Sequence, residues 1–108
     1  MNINYVIESQ LTSKDLCLIG LLDTVSKEKN SDIFQYSYKE IIDDLPLVFK
    51  SKTHKANLVM LRRILDRKEV QKFVTREINK KGYPLGSIVT FTLNRKNIDK
   101  LGIEGIVK

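Results

Sequence analysis

The chain has one cysteine, one histidine, two prolines and no tryptophan. A single cysteine excludes an intrachain disulfide. Cys17, inside the run LCLIGLL, is expected to be a small buried hydrophobe. A single histidine without neighbouring ligands argues against a metal centre. The spacings CxxC, HExxH, GxxxxGK and GxSxG are all missing. Asp43 and Asp44 form an acidic pair, but adjacent residues on a helix point in different directions. No enzyme, cofactor or metal is therefore expected. No stretch approaches the roughly 18 apolar residues of a membrane span. The start, MNINYVIESQ, lacks the basic and apolar regions of a secretory signal. A cytoplasmic location follows as the expectation. No amphipathic helix carries Trp or Phe on its apolar side, which argues against membrane binding.

What is present is an ordinary globular composition: 108 residues, 42% hydrophobic and 30% charged. That length fits one domain able to bury a real core. The formal net charge is +6, and it is unevenly placed. Residues 1–49 hold four lysines against eight acids, net −4, whereas residues 50–108 hold fifteen Lys and Arg against five acids, net +10. A basic surplus confined to one half is the electrostatic footprint of a nucleic-acid face. Abundant Lys, Asn and Ile hint at AT-rich coding DNA, as in a low-GC bacterium, plasmid or phage.

Residues 1–11 carry Ile3, Tyr5, Val6, Ile7 and Leu11, as a strand or a first helical turn, and could pair with another subunit. A helix is expected from Thr12–Ser13 to about Ser26, because Thr12 and Asp15 resemble a capping box with Asp replacing Glu. Its apolar residues Leu16, Cys17, Leu18, Ile19, Leu21, Leu22 and Val25 cover almost the whole circumference. Such a helix is the central core helix, part of a subunit interface, or both. A polar loop (residues 27–32) and a short strand at Ile33–Tyr36 follow. Ser37 and Glu40 then cap a second helix with Ile41, Ile42 and Leu45 on its apolar side, ended by Pro46. Ser87–Leu93 is rich in Val, Ile, Thr and Phe and reads as a strand. Lys72–Ile78 is preferred as its hairpin partner across NKKGYPLG. The alternative is a helix capped by Asp66 and Glu69 and carrying Val70, Phe73, Val74 and Ile78. Asn94 caps a short helix, Arg95–Leu101, stopped by Gly102. The tail holds Ile106 and Val107, suited to a partner subunit.

The stretch SKTHKANLVMLRRIL, Ser51–Leu65, is the most informative. At about 100° per residue, Leu58, Met60, Leu61, Ile64 and Leu65 share one broad arc. Ser51, Lys52, Lys55, Ala56, Val59, Arg62 and Arg63 share the other. Ser51 is the expected N-cap. Lys52 and Lys55 then fall in the first turn, where the helix dipole disfavours cations unless an anion such as phosphate docks there. The plain alternative is a solvated charged face, with Arg62 and Arg63 paired to acids of the first half. His54, near the packed arc, is expected to pack, and Asn57 could satisfy a core carbonyl.

The order helix, short strand, helix, basic helix, hairpin, short helix resembles the winged helix-turn-helix DNA-binding fold. The resemblance spans residues 13–101 and is carried by SYKEIIDDL, SKTHKANLVMLRRIL and the strand–loop–strand ending in VTFTLN. One departure is LPLVFK, which makes the inter-helix turn longer than the usual three or four residues. The resemblance implies an α+β, mostly helical single domain over residues 1–108 with a C-terminal β-hairpin wing. Residues 1–12 and 102–108 would be dimerisation arms. It places Ser51, Lys52, Thr53, Lys55 and Ala56 in the major groove, with Ala56 and Val59 against thymine methyls. Arg62 and Arg63 would meet phosphates. Lys80 and Lys81, beside Gly82 and Tyr83, would reach backbone or minor groove from the wing, assisted by Arg76. Tyr83 and Pro84 could equally only shape the loop.

The implied function is sequence-specific binding of duplex DNA by a small homodimer, most simply as a transcriptional repressor. Alternatives within DNA binding are a centromere-binding adaptor of plasmid or phage segregation, similar in size to the adaptors of tubulin-like partition systems, and a replication-initiator fragment. A different class is a protein-interaction module for an acidic partner, motivated by the over-apolar helix at 13–26.

Overall fold

The computed structural model describes residues 1–78 and 88–103, and its elements start where the local capping signals lie. Helix α1 (Ile3–Glu8) is capped by Asn2, whose side chain accepts from the Tyr5 N–H at 3.1 Å. The opening residues are thus helical rather than a strand. They pack on their own chain: the Asn2 N–H donates to the Leu101 carbonyl at 2.8 Å, and Tyr5 meets Phe73 edge-on. Helix α2 (Ser13–Glu28) begins with both halves of the Thr12–Asp15 capping box in place. Leu18, Ile19, Leu21, Leu22 and Val25 are all buried, so α2 is the central core helix. Its apolar girth is used within one chain. Cys17 is only half-buried, against expectation, because it lies with Leu16 on the less covered side of α2.

Strand β1 (Ile33–Tyr36) leads through the Ser37–Glu40 capping box into α3 (Tyr38–Asp44). Asp43 pairs with Lys39 at 2.7 Å, while Asp44 accepts from the Tyr36 hydroxyl at 2.5 Å, so the adjacent carboxylates serve different partners. Burial, with the hydrogen bond and charge of Asp44, raises the Tyr36 pKa and keeps the phenol a donor. Helix α4 (His54–Asp66) is followed by one further turn, α5 (Lys68–Gln71). Strands β2 (Val74–Ile78) and β3 (Val89–Leu93) pair antiparallel, which settles the 69–78 region in favour of strand pairing beyond Gln71. Helix α6 (Arg95–Leu101) is capped by Asn94 and stopped by Gly102 at φ +64°. A Cβ at Gly102 would also lie 3.3 Å from the Asn2 nitrogen, so close approach of α1 adds to the demand for glycine.

The result is an α+β architecture, mostly helical, with a three-stranded antiparallel sheet in the order β1-β3-β2. Phe34, Val74, Val89, Phe91 and Leu93 are the sheet's buried residues, and Phe34 sits opposite Phe91. No helix among the described residues is long and apolar enough to cross a membrane.

Ion pairs join the acidic and basic halves. Arg95 donates to Asp23, to Asp32 at 2.8 and 3.0 Å, and to the Ser26 hydroxyl at 2.8 Å. Burial alone would lower the Arg95 pKa. The bonds to Asp32 and Asp23 outweigh that effect and raise it. Arg67 lies 3.2 Å from the buried Asp15 and donates to the Gln10 carbonyl at 3.1 Å. Arg95→Ala would leave Asp23 buried with only Lys27, at 3.3 Å, as a counter-charge. The expected loss is about 3 kcal/mol of unfolding free energy, read from urea denaturation. A loss below about 0.5 kcal/mol would show the network to be solvated and nearly neutral.

Candidate nucleic-acid interface

Helix α4 buries Asn57, Leu58, Leu61, Ile64 and Leu65 and exposes the opposite side. The two-arc division predicted from sequence therefore holds, with Met60 half-buried at its border. The start of the helix differs from expectation. Thr53, not Ser51, is the N-cap, and its hydroxyl accepts from the Ala56 N–H at 3.3 Å. Lys52 consequently precedes the helix, and of the two lysines only Lys55 lies in the first turn. His54 is exposed rather than packed, since as the first helical residue it lies before the first buried turn.

Ser51 has a different task. Its backbone N–H donates to Asn57 Oδ1 at 3.0 Å, and its carbonyl accepts from Asn57 Nδ2 at 3.1 Å. Asn57 is 5% exposed, so this two-bond clasp is a sheltered one. It fixes the Lys50–Thr53 segment against the helix. The long turn between α3 and α4 is held from within as well, because Val48 and Phe49 are buried.

Ser51, Lys52, Thr53, Lys55, Ala56, Val59 and Arg63 are all exposed, and Arg62 is partly so. Among the described residues, none of Lys52, Lys55, Arg62 and Arg63 has an ion-pair partner. Arg62 and Arg63 thus do not pair with the acids of the first half; Arg67 and Arg95 do. Val59 is 42% exposed in the midst of these cations. No acidic residue occupies the first turn of α4.

Arg76 is placed differently. It stands opposite Phe91 in the β2–β3 register, on the same side as the buried Val74. Its Nε–H donates to the hydroxyl of Tyr38 at 2.7 Å, and its Nη2 donates to Asp66 Oδ1 at 2.9 Å. The period-2 alternation of strands carried this signal in the sequence, since Val74, Arg76 and Ile78 share one face. Arg76 is therefore occupied inside the protein, not presented with the α4 cations. Lys80, Lys81 and Tyr83 lie outside the described residues. Among the described residues, no group of three or more His, Cys, Asp or Glu could hold a metal. No family model, curated protein or solved structure matches the chain.

Removing the Asn57 clasp should leave the Ser51 N–H and carbonyl without their partner. Asn57→Ala is expected to cost about 1–3 kcal/mol, seen as a drop in Tm. Asn57→Asp keeps the acceptor for the Ser51 N–H but sets a buried carboxylate oxygen against the Ser51 carbonyl, so it should lower Tm at least as much as Asn57→Ala. Equal Tm for all three proteins would show that water replaces the clasp without loss.

Proposed function

We propose that this chain is a winged helix-turn-helix protein that binds duplex DNA sequence-specifically as a homodimer, with α4 in the major groove and the β2–β3 hairpin as the wing. Transcriptional repression by occupancy is its plainest consequence. The observation that carries the reading is the outer face of α4. It keeps Lys52, Lys55, Arg62 and Arg63 unpaired among the described residues around exposed Ala56 and Val59. Arg67, Arg76 and Arg95, the other arginines of the same basic half, are all engaged internally.

Such a face matches what a major groove offers. Phosphates supply the counter-charge that the fold does not, and they dominate affinity. Ala56 and Val59 are short apolar groups suited to thymine C5-methyls. Ser51 and Thr53 add hydroxyls at the leading end. Two copies related by a two-fold axis would set α4 and its mate in successive major grooves.

Fluorescence anisotropy tests this with duplex DNA from upstream of the gene and a shuffled duplex, across a salt series. The upstream duplex should bind at least about a thousandfold more tightly than the shuffled one. A single protected site points to a repressor, and a repeat array to a segregation adaptor. Equal, steeply salt-dependent binding to both would reduce the basic half to an electrostatic surface. Lys52→Glu with Lys55→Glu should abolish binding while leaving Tm unchanged; intact binding would remove this end of α4 from the interface. Lys80→Ala with Lys81→Ala should lower the salt slope by about one to two units. An unchanged slope would take these lysines out of the contact set.

A further inference from the structure

We propose that Arg76 is a positioning residue that sequesters Asp66 and so leaves Arg62 and Arg63 free to meet phosphate. The proposal rests on the duplex-binding function. Asp66 is the only carboxylate on α4 and ends the helix, with its side chain 66% exposed. At 100° per residue it falls on the arc of Lys55, Val59 and Arg62. It is thus the one carboxylate on the outward arc of α4.

Its position carries a second consequence. Asp66 stands four residues after Arg62 and three after Arg63, the two spacings at which helical side chains meet and pair. Left alone, it would draw one of these arginines along the helix surface. In the structure it does neither. It pairs with Arg76 at 2.9 Å, and neither Arg62 nor Arg63 pairs with it. Arg76 is well suited to compete. Its side chain is 17% exposed, and its Nε–H is fixed by the hydroxyl of Tyr38, a fully buried residue of α3. A guanidinium already held in place loses less freedom on pairing than a mobile surface arginine does. The same anchorage turns Arg76 away from direct contact with a ligand. One side chain on β2 therefore ties together α3 and the end of α4 and neutralises the only negative charge on α4.

The test is a mutant cycle read by anisotropy on the upstream duplex, at a temperature where circular dichroism shows every variant folded. Arg76→Gln should weaken binding about tenfold, because Asp66 is released both to repel phosphate and to capture Arg62 or Arg63. Adding Asp66→Asn to Arg76→Gln should restore affinity to within about twofold of wild type. Asp66→Asn alone should bind as wild type or more tightly, and its exposed position makes it a variant that folds. A double variant as weak as Arg76→Gln would overturn the proposal and make Arg76 a contact in its own right. Weaker binding by Asp66→Asn alone, or wild-type binding by Arg76→Gln, would also overturn it. A change in Tm without a change in Kd would assign Arg76 to the fold alone. Failure of the wild-type chain to bind any duplex at low salt would instead remove the duplex-binding function, and this proposal with it.

Discussion

Two carboxylates on the central helix, Asp15 and Asp23, are taken almost wholly out of water. Burying an ion costs several kcal/mol unless a counter-ion and hydrogen bonds replace its hydration. The far half supplies both counter-ions, and hydrogen bonds as well for Asp23, whereas Asp15 accepts its hydrogen bond from the Thr12 N–H. Arg67, at the junction of α4 and α5, lies against Asp15 near the start of α2. Arg95, at the start of α6, lies against Asp23 in the later turns of α2. The Arg67 Nε approach is off-axis for a hydrogen bond, so that contact is mainly Coulombic. The Arg95 network is fully hydrogen-bonded. These two pairs fasten the basic half to α2 at separated points, and the apolar side chains of α3, α4 and the sheet close over the space between.

This constraint changes what the charge asymmetry means. A segment with net +10 beside one with net −4 looks like an external field for a polyanion. Part of it is internal. Of the five arginines, all in residues 50–108, three are held by carboxylates within the fold. Among the described residues, exposed cations without an ion pair remain at several places, Lys50, Lys68, Lys72 and Lys96 among them, but Lys52, Lys55, Arg62 and Arg63 are gathered at one face of α4. That grouping, with the exposed Ala56 and Val59 among its cations, says more about a polyanion partner than the bulk charge does.

The parts of the fold legible in sequence were those fixed by local chemistry. Both capping boxes, the Asn94 cap and the Gly102 stop form as their residues dictate, because each is satisfied within four residues. The arc of Leu58, Leu61, Ile64 and Leu65 was legible from period alone. The Thr53 cap was not, since Ser51 and Thr53 are both good caps. The choice between them turned on Asn57, six residues along, which takes the Ser51 backbone for itself. Nor were the partners of Arg67 and Arg95, whose carboxylates stand 52 and 72 residues away in the chain. Arg76 lies between these cases. Its inward direction follows from strand parity, but its bond to Tyr38 needed α3 placed beside β2.

The leading end of α4 shows how these constraints converge on one surface. A helix N-terminus carries a partial positive charge and stabilises anions. Here the first turn holds Lys55 and no acid, and Lys52 stands just ahead of it. The capping hydroxyl of Thr53 satisfies one backbone N–H, and nothing local offsets the remaining positive potential. A helix optimised for stability alone would place Asp or Glu there, as α2 and α3 do with Asp15 and Glu40. The chain places acids in the first turns of α2, α3 and α5 and none in those of α1, α4 and α6. At the start of α6 the cation Arg95 is met by Asp23 and Asp32, whereas at α4 no described carboxylate pairs with Lys55, and the buried Asn57 holds the cationic approach in place. Unfavourable charge retained at a clamped, exposed helix start is stabilised when an anion from outside the chain docks there.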